Sequence, residues 1–325
     1  MKIGIIGSGQ FGASLAHNFS KNLKEINIWN RSNINKDIII RKLNSLSGEN
    51  LINQLSPYFK IRQSIQNVVE NSDIILLCIK AQSLINFLGE NYTFFKNKPL
   101  VFCSKGIDSE TCLFQTQIGE KFLNKNKLLA LSGPGFASDI IKQKPIALSL
   151  ACNNQNLGKK VQNIISSPSI RIYLNNDLIG TQLGGALKNV IAIACGVADA
   201  KELGESAKSA IITRGFYEIR QIGKALGCQV ETLFGLSGLG DLSLTCNSKL
   251  SRNYNFGIDI CKNIKKKNNK ETIEGKKTAN AAVLISKKYQ LDLPIIQTVN
   301  DLIDKNIEIS KAIQNLLERP LKNET

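Results

Sequence analysis

The chain has 325 residues, of which 42% are hydrophobic and 21% charged, and its formal net charge at pH 7 is +16. This length allows two domains of ordinary size, each with its own hydrophobic core. No uninterrupted apolar run reaches the roughly 18 residues typical of a membrane span, and the N-terminus lacks the successive regions of a signal peptide. We therefore expect a globular, cytoplasmic protein that is not embedded in a membrane.

The positive charge is spread along a chain that is also rich in Asn and Ile, which indicates a general compositional bias. Its densest run, residues 262–270, contains no aromatic residue. Such a run is more often a solvated surface than a nucleic-acid site, so we expect no nucleic-acid partner. The positive field should instead favour small anionic ligands.

The chain has eight cysteines, none in a C-x-x-C pair, and one histidine. These residues do not provide the ligand spacing of a zinc site, so we expect no bound metal. We interpret the cysteines as small buried thiols in a reducing compartment.

The first half of the chain alternates apolar strands with helical segments. Strands are predicted at residues 2–7, 26–30, 74–79, 99–104, 128–133 and 145–151. The run at 74–79 is continuously apolar, which suits a strand covered on both faces. The alternation predicts an α/β fold with a Rossmann-type, doubly wound sheet whose strands end along one ligand-binding edge.

Residues 7–12, GSGQFG, match the pattern G-x-G-x-x-G between a predicted strand and a helix, which is the context of a dinucleotide-binding site. Gly7 would permit the tight turn, Gly9 would let a pyrophosphate approach the backbone, and Gly12 would let the helix pack on the strand. The helix N-terminus would offer free N–H groups to the phosphates. A glycine-rich turn without a ligand is the alternative.

The second predicted strand ends in Trp29-Asn30-Arg31. Proteins that bind NAD usually have Asp or Glu here to hold the ribose 2′-hydroxyl, whereas an arginine can pair with a 2′-phosphate. We therefore expect NADPH to be used at least as well as NADH. A surface arginine without a cofactor role is the alternative.

After residue 176 helical periodicity dominates, notably at residues 183–200, 207–226 and 278–289. We therefore divide the chain into an NAD(P)-binding domain, residues 1–176, and a mainly α-helical substrate-binding and catalytic domain, residues 177–325.

A dehydrogenase needs a group that gives a proton to the substrate oxygen and removes it in reverse. The one histidine, His17, lies about one and a half turns into the helix after the glycine motif, too far from the nicotinamide end, so we interpret it as structural.

Lys188 lies in a helix of small and apolar residues, beside Gly184 and Gly185. Each helical glycine costs about 1 kcal/mol relative to alanine, which is easier to understand if something approaches this face closely. Burial would lower the pKa of Lys188 and allow proton exchange near neutral pH. A lysine with a packed stem and a solvated ammonium fits the helix equally well.

Several long blocks resemble the soluble bacterial NAD(P)-dependent glycerol-3-phosphate dehydrogenases. They occur in the family's order almost from end to end: GSGQFG (7–12), SKGI (104–107), SGPGFA (132–137), IGTQLGGALKNVIAIACG (179–196), GLSGLGDLSLTC (235–246), SRNYNFG (251–257), EGKKT (274–278) and LDLPI (291–295). The resemblance implies reversible reduction of dihydroxyacetone phosphate to sn-glycerol 3-phosphate by NADPH or NADH, which supplies phospholipid synthesis. Related enzymes often form homodimers.

The resemblance also implies roles for individual residues. Lys188 matches the family's acid/base lysine, and Lys105 matches a lysine where substrate and cofactor meet. The implied substrate-binding residues are Lys105, Gly133, Gly135, Asp241 and the phosphate-recognition triplet Ser251, Arg252 and Asn253. The implied cofactor-binding residues are Gly7, Gly9, Gln10, Phe11, Gly12, Arg31, Lys105, Ala137, Arg252, Thr272 and Glu274.

Two positions depart from the family pattern. Gly135 stands where the family usually has Thr, Ser or Asn, so a side-chain contact to the substrate is missing. Residues 79–84, IKAQSL, replace the usual Val-Pro-Ser start, so we expect a differently shaped loop near the cofactor.

Two other functions are compatible with these patterns. A two-domain dehydrogenase of hydroxy acids or sugar acids is the closer one, although the Ser-Arg-Asn block suits a phosphate. The other is a basic NADP-binding or nucleic-acid-binding regulatory protein without turnover, which salt-resistant DNA binding would favour.

Overall fold

The computed structural model describes residues 1–22, 24–50, 52–262 and 273–318. Thr272 and most of the lysine-rich run at 262–270 lie outside these residues. The strands of the described part are β1 Lys2–Ile6, β2 Glu25–Trp29, β3 Phe59–Ile61, β4 Ile74–Leu77, β5 Leu100–Phe102, β6 Leu128–Ser132, β7 Ile146–Cys152 and β8 Ile170–Asn175.

The α-helices in the same part of the chain include five that are only five or six residues long. Their bounds are α1 Gln10–Lys21, α2 Lys36–Ser47, α3 Ile65–Glu70, α4 Leu84–Phe95, α5 Gln115–Glu120, α6 Ala137–Ile141, α7 Gln155–Ile165, α8 Leu178–Ala200, α9 Glu205–Ala225, α10 Val230–Phe234, α11 Asp241–Cys246, α12 Arg252–Cys261, α13 Glu274–Tyr289, α14 Pro294–Ile303 and α15 Ile309–Leu317.

The strands form one sheet in the order β3-β2-β1-β4-β5-β6-β7-β8. Neighbouring strands are parallel except β6 and β7, which pair antiparallel with Ser132 opposite Ser149. The fold is therefore the expected α/β arrangement with a Rossmann-type sheet followed by helices. The expectation that all strands end along one edge is wrong for β7 and β8, because both run opposite to β1–β6.

The apolar run in β4 shows why the sheet is covered on both faces. Ile74 and Leu76 belong to one hydrophobic cluster, whereas Ile75 and Leu77 belong to another. Side chains of a strand alternate between its two faces, so helices must cover both sides of β4. This arrangement confirms the doubly wound interpretation of the run.

β3 and β8 are not among the predicted strands. β3 has three residues and a polar centre, Lys60, and is therefore too short for a periodic signal. In β8 the buried residues Ile170 and Ile172 alternate with the exposed residues Arg171 and Tyr173, which is the pattern of a strand covered on one face.

α8 is the central helix of the region after residue 176 and packs against α9, α11, α12 and α13. It is long and apolar enough to cross a membrane by length and composition, with a mean hydropathy of 1.4, although Lys188 interrupts its apolar run. Since 89% of that window is buried inside the protein, α8 is a core helix here.

Candidate active site

The glycine motif forms the turn between β1 and α1. Gly7 has φ of +103°, and a Cβ there would lie 2.6 Å from the carbonyl oxygen of Cys78. A Cβ at Gly12 would lie 2.9 Å from the Cβ of Cys78. Both positions therefore require glycine, since the turn and the helix pack directly on the end of β4.

Gly9 differs because, apart from its chain neighbours, no described residue lies within 4 Å of the position that its Cβ would take. It is exposed and precedes α1 without a side-chain cap. The first N–H groups of a helix without a cap are free to bind a ligand. The space beside Gly9 therefore suits an anionic group such as a pyrophosphate.

Arg31 follows β2 and is exposed, whereas its neighbour Asn30 is tied to the glycine turn by accepting from the backbone N–H of Ser8 at 3.0 Å. Lys42 of α2 also reaches this turn and donates to the carbonyl of Ser8 at 2.5 Å. Partial burial lowers the pKa of Lys42. Lys42 is a cation near the turn that the motif did not reveal, because it lies 30 residues beyond Gly12 in the chain.

Lys188 is only 6% exposed, so the structure excludes a solvated ammonium. It pairs with one carboxylate oxygen of Asp241, which is fully buried. Lys105 pairs with the other oxygen of Asp241 at 2.7 Å and also donates to the carbonyl of Gly133 at 2.7 Å. One buried carboxylate is therefore shared by two ammonium groups.

The surroundings of Lys188 shift its pKa. Burial lowers the pKa of Lys188 to about 8, and the neighbouring Lys105 acts in the same direction, whereas Asp241 opposes both. A group with a pKa near 8 is present in both protonation states near neutral pH. Lys188 can therefore give and take a proton under ordinary conditions.

The two glycines beside Lys188 make room for other parts of the protein. A Cβ at Gly184 would lie 2.7 Å from the Cα of Gly238, in the π-helical turn Leu236–Gly240 that precedes Asp241. A Cβ at Gly185 would collide with the side chain of Ser132 and lie 3.5 Å from the Cγ of Lys105. The expected close approach is thus made by the segments that carry Asp241 and Lys105.

The Ser-Arg-Asn block begins α12. The hydroxyl of Ser251 caps the helix by accepting from the backbone N–H of Tyr254 at 3.2 Å. Asn253 donates to the amide oxygen of Asn189 at 2.9 Å and accepts from the backbone N–H of Gly275 at 3.0 Å. Both side chains are thus held in place by the protein itself.

The side chain of Arg252 is half-buried and makes no hydrogen bond or ion pair with any residue that the structure describes. It lies near Glu274, the first residue of α13. Burial raises the pKa of Glu274, although the positive charges of Arg252, Lys105, Lys188 and Lys80 partly oppose this rise. The guanidinium of Arg252 is therefore available for an anion.

Asn189 links these groups, although no pattern in the sequence pointed to it. Its amide donates to the backbone carbonyl of Lys105 at 3.2 Å, while its oxygen receives the bond from Asn253. The one feature of the sequence that could have indicated Asn189 is that an amide directly follows Lys188 in an apolar helix. Asn189 thereby joins the Lys105 segment to the start of α12.

The remaining candidate residues follow β6 or lie at the start of α1. Gly133 has φ of +132° and directly follows β6, while half-buried Gly135 and Ala137 come next. The ring of Phe11, the second residue of α1, lies 6.0 Å from the ammonium of Lys105. Gln10 is exposed at the start of α1.

His17 is 1% exposed, and neither of its ring nitrogens has a hydrogen-bond partner in the described structure. It belongs to the interior of the first half of the chain rather than to the Lys188 cluster. This placement agrees with a structural role for His17.

Comparison with known proteins identifies the family. Residues 2–158 match the family model described as NAD-dependent glycerol-3-phosphate dehydrogenase N-terminus, and residues 177–314 match the corresponding C-terminus. A protein of Chelativorans sp. (strain BNC1) named glycerol-3-phosphate dehydrogenase (NAD(P)+) is 39% identical over 99% of this chain and 98% of its own length. A protein of the same name from Brucella ovis is 37% identical over 99% of each chain.

The fold agrees with a solved structure of the same kind. A glycerol-3-phosphate dehydrogenase from Coxiella burnetii superposes with a TM-score of 0.87 at 26% identity, covering 98% of this chain and 99% of that one. Matches in both halves of the chain, at these identities and coverages, show that the chain belongs to the family of NAD-dependent glycerol-3-phosphate dehydrogenases.

Proposed function

We propose that this chain catalyses the reversible reduction of dihydroxyacetone phosphate to sn-glycerol 3-phosphate with NADPH or NADH. The observation that carries the proposal is the sharing of buried Asp241 by Lys188 and Lys105, together with the unpaired guanidinium of Arg252. Lys188, Lys105 and Arg252 all act on the pKa of the same residue, Glu274. This arrangement offers a proton donor and an anion-binding group close together. The names of the relatives support the same reaction.

The residues of the glycine turn fit a dinucleotide. Gly9 leaves open space, α1 has no side-chain cap, and the ring of Phe11 lies 6.0 Å from the ammonium of Lys105. Gln10, Ala137 and Glu274 complete the cofactor contacts that we propose. A bound nicotinamide dinucleotide supplies the hydride.

Lys188 acts as the acid in the reducing direction and as the base in the oxidising direction. Its ammonium donates a proton to the developing alkoxide, and its neutral amine removes the hydroxyl proton in reverse. Asp241 orients Lys188 through its ion pair, while Lys105 holds the substrate oxygen. Gly133 fixes Lys105 through its carbonyl, and Gly135, which has no side chain, can contact the substrate only through its backbone.

Arg252 binds the phosphate of the substrate. A guanidinium can form two parallel hydrogen bonds to a phosphate, which an ammonium cannot. The hydroxyl of Ser251 still has a proton to donate, because its capping bond uses only the oxygen. Asn253 contributes by fixing the start of α12 against Asn189.

Arg31 favours NADPH by pairing with its 2′-phosphate. The residue is exposed at the end of β2 and has no carboxylate partner among the described residues, so its charge is free for a ligand. We further propose that residues 1–176 and 177–325 are the two domains, and that the protein is a cytoplasmic homodimer supplying phospholipid synthesis.

A steady-state assay tests the proposed function. Dihydroxyacetone phosphate should support oxidation of NADPH and NADH, whereas dihydroxyacetone, which lacks the phosphate, should be turned over barely or not at all. Equal rates with both substrates would show that the phosphate, and hence the proposed contact with Arg252, does not matter. No oxidation of either cofactor would refute the assigned reaction.

A further inference from the structure

Lys105 lies in an irregular segment, residues 103–114, between β5 and α5. No strand or helix therefore fixes its backbone, although its ammonium must reach both Asp241 and Gly133. Asn189 of α8 holds one point of this segment by donating to the carbonyl of Lys105.

The next two carbonyls of the segment are held in the same way by side-chain amides of other elements. Gln115, the first residue of α5, donates to the carbonyl of Gly106. Gln82, in the 3₁₀ turn Ala81–Ser83, donates to the carbonyl of Ile107 at 2.6 Å. Three consecutive carbonyls, at residues 105–107, thus each accept from a carboxamide.

The surrounding groups determine which way the amide of Gln82 points. Its oxygen accepts from the backbone N–H of Ser109 at 3.0 Å and from the Ser109 hydroxyl at 2.9 Å. Its nitrogen therefore has to face the carbonyl of Ile107. Gln82 therefore binds the segment at Ile107 and at Ser109, and these bonds fix the backbone that follows Lys105.

Gln115 is fully buried, and its amide oxygen has no hydrogen-bond partner in the described structure. A buried acceptor without a partner is destabilising. The hydrogen bond from its nitrogen to the carbonyl of Gly106 is therefore the interaction that offsets the cost of burying this amide.

We propose that Gln82 and Gln115 are positioning residues, which hold the backbone at residues 105–107 so that the Lys105 ammonium stays between Asp241 and Gly133. The inference rests on the role proposed above for Lys105. Gln82 belongs to residues 79–84, where this chain departs from the family pattern, so the resemblance did not suggest it.

The pH dependence reports on this role. Lys188 is faced by Asp241 and Lys105, with Glu274 and Cys246 also nearby. Because the Lys105 ammonium lowers the pKa of Lys188, a displaced Lys105 lets that pKa rise. Oxidation of glycerol 3-phosphate needs the neutral amine of Lys188 as the base. If the pKa of Lys188 rises, kcat/KM for this reaction therefore reaches its plateau at a higher pH.

The experiment replaces each glutamine by methionine, which has similar length and adds no charge. Gln82→Met and Gln115→Met should each lower kcat about tenfold, since small misplacements of reacting groups cost that much or more. Both should also move the rise of kcat/KM to higher pH. Gln162→Met is the matched control, because half-buried Gln162 donates to the carbonyl of Ile172 at 2.8 Å in a distant part of the sheet.

Wild-type kcat and an unchanged pH profile in the folded glutamine variants would overturn the inference, whatever their melting temperatures. If Gln115→Met does not fold, half-buried Gln82 decides the result by itself. An active wild type with unaffected variants refutes only the positioning role, whereas an inactive wild type refutes the proposed function and this inference together.

Discussion

The carboxylate of Asp241 is fully buried and pairs with the ammonium of Lys188, which lies 53 residues earlier in the chain. Removing two charges from water is unfavourable unless they pair well. The second ammonium, from Lys105, gives the cluster a net positive charge inside the protein. Such an arrangement is costly for folding and useful for binding an anionic substrate and for moving a proton.

Lys188→Ala should lower kcat for dihydroxyacetone phosphate reduction by about 100-fold or more, because the variant lacks the proton donor. Binding of NADPH, measured by fluorescence titration, should change little. A Lys188→Ala enzyme with nearly wild-type turnover would show that another group moves the proton.

Asp241→Asn should shift the pH dependence in a defined direction. Asp241 raises the pKa of Lys188 against the effects of burial and Lys105, so its removal lowers that pKa below about 8. Dihydroxyacetone phosphate reduction needs the protonated amine, and its kcat/KM should therefore fall at a lower pH than in the wild type. Asp37→Asn, at an exposed position in α2, controls for the change in net charge. A shift to higher pH would contradict the assigned ion pair.

Arg252→Ala should raise the KM for dihydroxyacetone phosphate at least tenfold and lower kcat less, because a charge-assisted contact to the phosphate is lost. Arg252→Lys should recover only part of the affinity, since an ammonium lacks the two-pronged geometry. Arg214→Ala removes an arginine that stacks on Tyr217 and serves as the control. An unchanged KM in Arg252→Ala would place the phosphate elsewhere.

Arg31→Glu should shift the ratio of kcat/KM values for NADPH and NADH toward NADH, because a carboxylate repels the 2′-phosphate and can accept from the ribose hydroxyl. The activity with NADH should persist. An unaltered ratio would mean that Arg31 is a surface residue without a cofactor role.

His17 should make the protein less stable in acid. Burial lowers the pKa of His17 from 6.5 to about 4, so the folded state keeps it neutral while the unfolded state takes up a proton below pH 6.5. Stability is therefore lost as the pH falls from about 6.5 toward 4, by about 2 kcal/mol between pH 7 and pH 5. Urea unfolding of the wild type and of His17→Leu at both pH values measures this contribution. An equally steep loss in the variant would assign the acid sensitivity to other groups.

Much of the site was recognisable from local patterns. The glycine turn could be predicted because its three glycines lie within six residues, between a strand and a helix. Lys188 stood out because an ammonium in an apolar helix is unusual. Asn189, Lys42, Gln82 and Gln115 could not be found in this way, because amides and lysines are common and their partners lie far away in the chain.

The direction of β7 also escaped prediction. Its apolar run indicated a strand correctly, yet a strand pattern carries no information about the direction in which the strand enters the sheet. The short β3 gave a signal too weak to detect. β8 does carry an alternating pattern, and it was missed although that pattern is typical of a half-buried strand.

By itself, the sequence determined the alternation of strands and helices, the dinucleotide turn, the helical second half and the family, because these depend on periodicity and on motifs that are contiguous in the chain. Only the tertiary structure decided that Lys188 is buried, that Asp241 is shared with Lys105, and that the glycines beside Lys188 admit neighbouring protein segments. The physical reason is that desolvation and ion pairing depend on distances in space, which the order of residues does not specify.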